Sequence, residues 1–109
     1  MSGEIKRIKK IIDIDYSIEK SNPANLVVTV TGQVPESGWS KPTLSRREYI
    51  VPPADGIWEY DFYGIEPKTG GAVISEIKAT NRWEAYDEFA VKGVRVYGEK
   101  GGIKEVVFG

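Results

Sequence analysis

The 109-residue chain contains neither cysteine nor histidine, and each absence excludes a class of chemistry. Without cysteine there are no disulfides, thiol nucleophiles or thiolate metal sites, and the redox compartment is left open. Histidine is the commonest general base and the commonest transition-metal ligand, so its absence excludes histidine-based triads, zinc sites and pH switches. We therefore expect no enzymatic activity, no catalytic residue, no cofactor and no bound metal.

Long apolar runs and an excess of charge of either sign are also missing. No apolar stretch is long enough to cross a bilayer, so we expect no membrane span. The net charge is −1, which provides no overall field for gathering nucleic acid. Lys6, Arg7, Lys9 and Lys10 lie close together, but we interpret them as a solvated strand edge and expect no nucleic-acid partner. No signal-peptide pattern is visible, so the localisation stays unknown; an extracellular or cell-surface protein would have to be a processed chain or an excised domain.

The composition that is present is typical of a globular protein. Hydrophobic residues make up 40% of the chain and charged residues 28%, which argues against disorder. The length suits one hydrophobic core, and we predict a single domain over residues 1–109 with residues 1–8 irregular. The sequence does not indicate the oligomeric state.

The stretch IWEYDFYGI, residues 57–65, has the clearest pattern in the chain. Trp58, Tyr60 and Phe62 alternate with Glu59 and Asp61, so a strand would place three rings on one face and both carboxylates on the other. Three aromatic rings bury a large apolar area, on the order of 150–250 Å² each. This pattern predicts the central core strand.

Six further segments alternate or carry short apolar runs between turn residues. The predicted strands are 12–18, 26–34, 43–51, 72–80, 90–98 and 103–108. The polar centre of 43–51 indicates an edge strand, and Gly32 marks a bulge or a close backbone approach. Residues 81–89 fit either a crossing loop with one helical turn or a short strand. All six prolines fall between or at the ends of these segments.

About seven strands with regularly spaced turns predict an all-β fold, an antiparallel β-sandwich. The order of the segments resembles immunoglobulin-like and fibronectin type III domains, and a small closed β-barrel is the alternative. The predicted core consists of inward-facing residues from four segments: Ile14, Tyr16, Val28, Val30, Trp58, Tyr60, Phe62, Val94 and Val96.

Paired carboxylates are the first candidate for chemistry. Asp13 and Asp15 share a strand face, as do Glu59 and Asp61, and such neighbours lie about 6.5–7 Å apart along a strand. That spacing suits a glycosidase pair or a shared Ca²⁺. Alternating solvent-facing carboxylates are the simpler interpretation, because a small sandwich seldom forms a deep cleft.

Trp39 and Trp83 are the candidates for recognition, since both fall in predicted loops and indoles are frequent at binding surfaces. Counting strands places the connections 35–42, 66–71 and 99–102 at one end of the sandwich and 21–25, 52–56 and 81–89 at the other. We expect Trp83 to be covered by Tyr86 and Phe89. The predicted ligand-binding residues therefore belong to the first end: Trp39, Ser37, Lys41, Lys68, Thr69 and Lys100.

These patterns favour a non-enzymatic binding or interaction module that presents loops from a rigid β-sandwich, with a protein or a carbohydrate as the partner. The alternatives are a structural spacer domain of a larger or surface protein and, third, a hydrolase that uses paired carboxylates.

Overall fold

The computed structural model describes residues 3–99 and 102–108. These residues form eight strands and contain no helix that could cross a membrane. The strands are β1 (Ile5–Arg7), β2 (Lys10–Glu19), β3 (Asn25–Val34), β4 (Ser40–Arg46), β5 (Ile57–Ile65), β6 (Ser75–Trp83), β7 (Gly93–Tyr97) and β8 (Ile103–Val107).

Two packed sheets make up the fold. One has three strands in the order β2–β3–β6, and the other has five strands centred on β5. Along one side of β5 runs β4; along the other side, β7 pairs with residues 57–61 and β1 pairs with residues 63–65. The β8 strand lies outside β7. The predicted β-sandwich is confirmed, and the closed-barrel alternative is wrong.

The predicted sandwich was antiparallel throughout, but β7 runs parallel to its neighbour β5. Five of the strand pairings are antiparallel, but β5 and β7 are parallel. The reason is the route of the chain, because β6 joins the other sheet and returns the chain to the end where β5 began. A strand starting there must run beside β5 in the same direction.

The N-terminal segment is more regular than predicted. Residues 1–8 were expected to be irregular. Residues 1–2 lie outside the described residues, but β1 is a strand and Ile8 is fully buried. Because β7 covers only the first half of β5, the second half has a free edge to which β1 binds. The backbone of Ile8 then bridges the sheet, donating to the Phe62 carbonyl at 3.0 Å and accepting from the Glu99 amide at 2.7 Å.

The core forms on the aromatic face of β5 as predicted. Trp58, Tyr60 and Phe62 are buried, and so are the four predicted valines of β3 and β7. Ile14 and Tyr16 are only half-buried, since β2 is an outer strand of its sheet. A register shift lies between Ile11 and Asp13 of β2. The buried side chain of β2 is Ile11, which precedes this shift, rather than the predicted Ile14 or Tyr16.

Several strand boundaries differ from the predicted ones: β7 is Gly93–Tyr97 within the predicted 90–98, and β6 begins at Ser75 rather than at residue 72. The third predicted strand, 43–51, corresponds to β4, which begins earlier and ends at Arg46; it is an edge strand as expected. The predicted strand 72–80 corresponds to β6, which continues to Trp83 because its whole length pairs with β3. Residues 81–83 are therefore strand, and turns follow them.

Candidate functional site

The loops collect at two ends of the sandwich. Residues 35–41 and 66–74 form one end, called the Trp39 end, where the Ser37 amide donates to the Gly71 carbonyl at 3.2 Å. Residues 47–56 and 84–92 form the opposite end, called the Phe89 end, where the Lys92 amide donates to the Gly56 carbonyl at 2.8 Å.

At the Trp39 end, the indole is held by its own loop. Trp39 is half-buried against the core, and its Nε1 donates to Glu36 Oε1 at 2.6 Å. The indole N–H that could donate a hydrogen bond to a ligand therefore already has a partner within the loop. Ser37 forms the isolated bridge with Gly71 and is half-buried.

The remaining predicted site residues of this end are exposed. Lys41, Lys68 and Thr69 lie at the surface, and Lys100 lies outside the described residues. A shallow depression of about 350 Å³ opens beside Lys68 and Thr69. Its lining consists of loop and strand-end residues: Gly3, Gly38, Ser40, Ile65, Glu66, Pro67, Lys68 and Thr69. The structure thus brings two of the six predicted residues to one open, polar surface.

The Phe89 end exposes large apolar side chains. Ile50 is 104% exposed, Phe89 89% and Val51 74%. A depression of about 450 Å³ lies next to them. Its lining comes from both loops and combines apolar side chains with two charged ones: Pro52, Pro53, Ala54, Asp55, Gly56, Phe89, Ala90 and Lys92.

Local hydrogen bonds hold the backbone of this end. Gly56 has a φ of 73°, which favours glycine, and its amide closes a turn onto the Pro53 carbonyl at 3.0 Å. The Asp87 carboxylate accepts from the amides of Phe89 at 2.9 Å and Ala90 at 3.1 Å. The Phe89 ring therefore projects from a turn whose geometry is fixed by its neighbours.

Beneath the Phe89 end lies an aromatic cluster that seals the core. The Trp58 and Trp83 rings are 4.8 Å apart, and Tyr86 packs 6.0 Å from Trp83. The guanidinium of Arg46 lies over the Trp83 ring, 4.0 Å from its centre. The expectation that Tyr86 would cover Trp83 agrees with this packing. The expectation for Phe89 was wrong, because the Asp87 turn directs it into solvent.

On the outer face of β5, Glu59 and Asp61 form part of an ion-pair network. Arg47 contacts both carboxylates, at 3.0 Å for Glu59 and 2.8 Å for Asp61. Arg7 reaches Asp61 at 2.7 Å, and Arg95 reaches Glu59 at 3.0 Å. The carboxylates are on one strand face as predicted, and arginines from three other segments occupy their oxygens.

These contacts lower the pKa of both carboxyls. A hydrogen bond from the Tyr97 hydroxyl, followed by those from Arg95 and Tyr49, holds the pKa of Glu59 below its usual value. The Arg47 guanidinium is the main cause of the lowered pKa of Asp61. A glycosidase acid needs a raised pKa, so this pair lacks the property required of a proton donor at neutral pH.

The second carboxylate pair, Asp13 and Asp15, is exposed on β2. Within residues 3–99 and 102–108, no group of three or more acidic side chains is placed to hold a metal ion. The Glu59 and Asp61 carboxylates on β5 therefore stabilise the outer face, because their oxygens already form ion pairs with arginine side chains.

Comparisons of the chain with protein-family models, curated proteins and solved structures found no match. Sequence reasoning missed the exposed apolar group Ile50, Val51 and Phe89. A local signal existed for Phe89, since Asp87 stands two residues before it in a position to bind its amide.

Proposed function

We propose that the protein is a non-enzymatic protein-binding module whose contact surface is the Phe89 end. The observation that carries the proposal is the exposure of Phe89 at a depression formed by both loops, with Ile50 and Val51 exposed on the loop that leads into it. Large apolar side chains exposed on neighbouring loops of a small protein often mark interaction sites, because leaving them in water is unfavourable. Aromatic residues in particular supply much of the binding free energy at such sites.

Preorganisation also supports this role. The two loops are tied to each other through Lys92 and Gly56, and the Phe89 turn is tied through Asp87. A surface that is ordered before binding loses less conformational entropy when a partner arrives. Presenting loops from the end of a β-sandwich is also how immunoglobulin-like domains bind their partners.

Selection from a random peptide library displayed on phage tests the proposal. The immobilised wild-type protein should enrich peptides that also bind Val73→Asp, a control that changes an exposed apolar residue at the Trp39 end. The same peptides should fail to bind Phe89→Asp. Failure to enrich any peptide, or equal binding to Phe89→Asp, would contradict the assignment of this surface.

A second candidate is carbohydrate binding at the Trp39 end, favoured by the polar depression of about 350 Å³. Ser40, Thr69 and Lys68 line it and present two hydroxyls and one ammonium group, which match the hydrogen-bonding groups of a sugar. Screening a glycan array with wild type, Lys68→Ala and the control Lys92→Ala tests it. A glycan signal unaffected by Lys68→Ala would exclude this depression as its site.

A further inference from the structure

We propose that the partner of the Phe89 end is a peptide segment in which a large apolar side chain is flanked by lysine or arginine. This inference rests on the proposed function and names the chemistry of the partner. It follows from the charges that surround the exposed apolar group.

Carboxylates border the apolar surface on both loops. Glu48 precedes Ile50 by two residues, Glu88 is adjacent to Phe89, and both side chains are solvent-exposed. No ion pair to either of them occurs within residues 3–99 and 102–108. Their negative charge is thus free to act on an approaching molecule.

Two further carboxylates are tied to local structure. Asp87 accepts hydrogen bonds from the backbone amides of Phe89 and Ala90, so its carboxylate lies at the Phe89 turn. Asp55 lines the depression and lies 3.7 Å from Arg95. Asp55 and Lys92 are the charged residues that line the depression, one of each sign. The two loops as a whole, residues 47–56 and 84–92, are negative, because they carry five carboxylates (Glu48, Asp55, Glu84, Asp87 and Glu88) and two cations (Arg47 and Lys92).

The two arginines near this end are engaged elsewhere, whereas Lys92 is exposed. Arg47 is paired with Glu59 and Asp61 on the outer face, and Arg46 lies over Trp83. At the Trp39 end, in contrast, Glu66 is paired with Lys6, and Lys41 and Lys68 are exposed cations. The Phe89 end therefore combines exposed apolar area with an excess of negative charge.

A partner that complements both features needs an apolar residue and flanking cations. The apolar side chain fits against Phe89 and Pro52 in the depression, while lysine or arginine lies within reach of Glu48 and Glu88. An arginine guanidinium would also stack favourably on the exposed Phe89 ring. An acidic segment would meet like charges and bind more weakly.

Titration of the ¹⁵N-labelled protein with three synthetic peptides of equal length tests the inference. One has an aromatic centre flanked by lysines, the second has the same centre flanked by glutamates, and the third has lysines around glycine. The lysine–aromatic peptide should shift the amide resonances of Ile50, Phe89 and Ala90. Its affinity should exceed that of each other peptide by about tenfold or more and fall as salt is raised from about 0.05 to 0.5 M.

Matched variants separate charge from apolar contact. Glu48→Lys combined with Glu88→Lys should weaken the lysine–aromatic peptide by about tenfold. Glu76→Lys, an exposed change at the other end of the molecule, should leave its affinity unchanged. Phe89→Ser should abolish binding of the peptide.

The outcomes distinguish the partner's chemistry from the proposed function. Equal or tighter binding of the glutamate peptide, lost in Phe89→Ser, would overturn the charge preference and leave the binding surface in place. No binding by any peptide, or binding indifferent to Phe89→Ser, would overturn both. Concentration-dependent self-association that Phe89→Ser abolishes, seen by sedimentation in the absence of peptide binding, would identify a second copy as the occupant and overturn the inference.

Discussion

Replacing Gly32 with alanine should destabilise the protein, because a methyl group has no space at that position. Gly32 is buried in β3, the central strand of its sheet. A Cβ atom there would lie 2.5 Å from Ile8 Cγ2 and 2.8 Å from Phe62 Cε2. Both neighbours are fully buried, so neither can move into solvent.

The size of the effect follows from these two distances. Carbon atoms pack best at about 3.5–4.0 Å, so each neighbour would have to move by about 1 Å. Overpacking of this kind costs about 1–3 kcal/mol in free energy of unfolding. Alanine also restricts the unfolded chain, which offsets about 0.4–1 kcal/mol. We expect Gly32→Ala to lose about 1–2 kcal/mol net.

Urea unfolding monitored by tryptophan fluorescence measures this loss, with Gly64→Ala as the control. Gly64 is a buried strand glycine whose added Cβ would find its nearest neighbour, the Ser40 carbonyl oxygen, at 3.3 Å. The control should therefore change stability less than Gly32→Ala.

A double-mutant cycle identifies the clashing atom. Ile8→Ala alone should cost about 2–5 kcal/mol through the cavity that it leaves. Because it removes Cγ2, adding Gly32→Ala should then cost at least about 0.5 kcal/mol less than in wild type. A Gly32→Ala protein as stable as wild type, or strict additivity with Ile8→Ala, would refute the close approach of β3 to Ile8.

Four other outcomes are expected. Trp58→Ala should cost about 3–5 kcal/mol in a thermal melt, because the ring fills the core; a melt close to wild type would show that the inward face is misassigned. Truncation after Gly102 should give an insoluble or molten product, since β8 pairs with β7; a cooperatively melting product would argue against this. Arg47→Met should cost about 1–3 kcal/mol by urea unfolding, as its contacts are to charged groups, and no loss would show the network to be dispensable. The folded protein lowers the pKa of Glu59 and Asp61, so the stability that they contribute is complete above the ordinary carboxyl pKa of about 4 and is lost as the pH falls through the lowered values. The Glu59→Gln, Asp61→Asn double variant should therefore show a flatter decline of stability below about pH 5, and an unchanged decline would contradict this role.

Alternation along the sequence predicted β3 and β5 well, for a physical reason. Both are central strands with one dry face, so period-two burial is imposed along their whole length. Gly32 was also expected at a bulge or a close backbone approach. The register shift of β2 between Ile11 and Asp13 lies opposite Gly32 and Thr31, and an added Cβ at Gly32 would have too little space beside Ile8 and Phe62.

Features that depend on distant pairing could not be predicted in this way. β1 is three exposed residues long and carries no apolar alternation; it is a strand because part of β5 would otherwise have an unpaired edge. The parallel direction of β7 likewise depends on which sheet β6 joins. Neither cause is visible in the local sequence.

The candidate site shows the same division between local and distant causes. The shared face of Glu59 and Asp61 follows from strand periodicity, whereas their arginine partners come from distant segments and change the chemistry of the pair. The exposure of Phe89, in contrast, has a local cause in the Asp87 turn. Aromatic residues nearby in sequence suggested a cluster, but turn geometry separated Phe89 from it.

The position of the aromatic cluster has a consequence for any function of the Phe89 end. Trp83 and Tyr86 already close the core beneath the loops, so Phe89 contributes little to folding. Surface substitutions away from packed groups usually change stability by less than about 0.5 kcal/mol. A large, fully exposed ring that the fold does not need is costly to keep in water, and a partner that covers it would remove that cost. Loss of binding in a Phe89 variant with an unchanged melting temperature would therefore report on the surface alone.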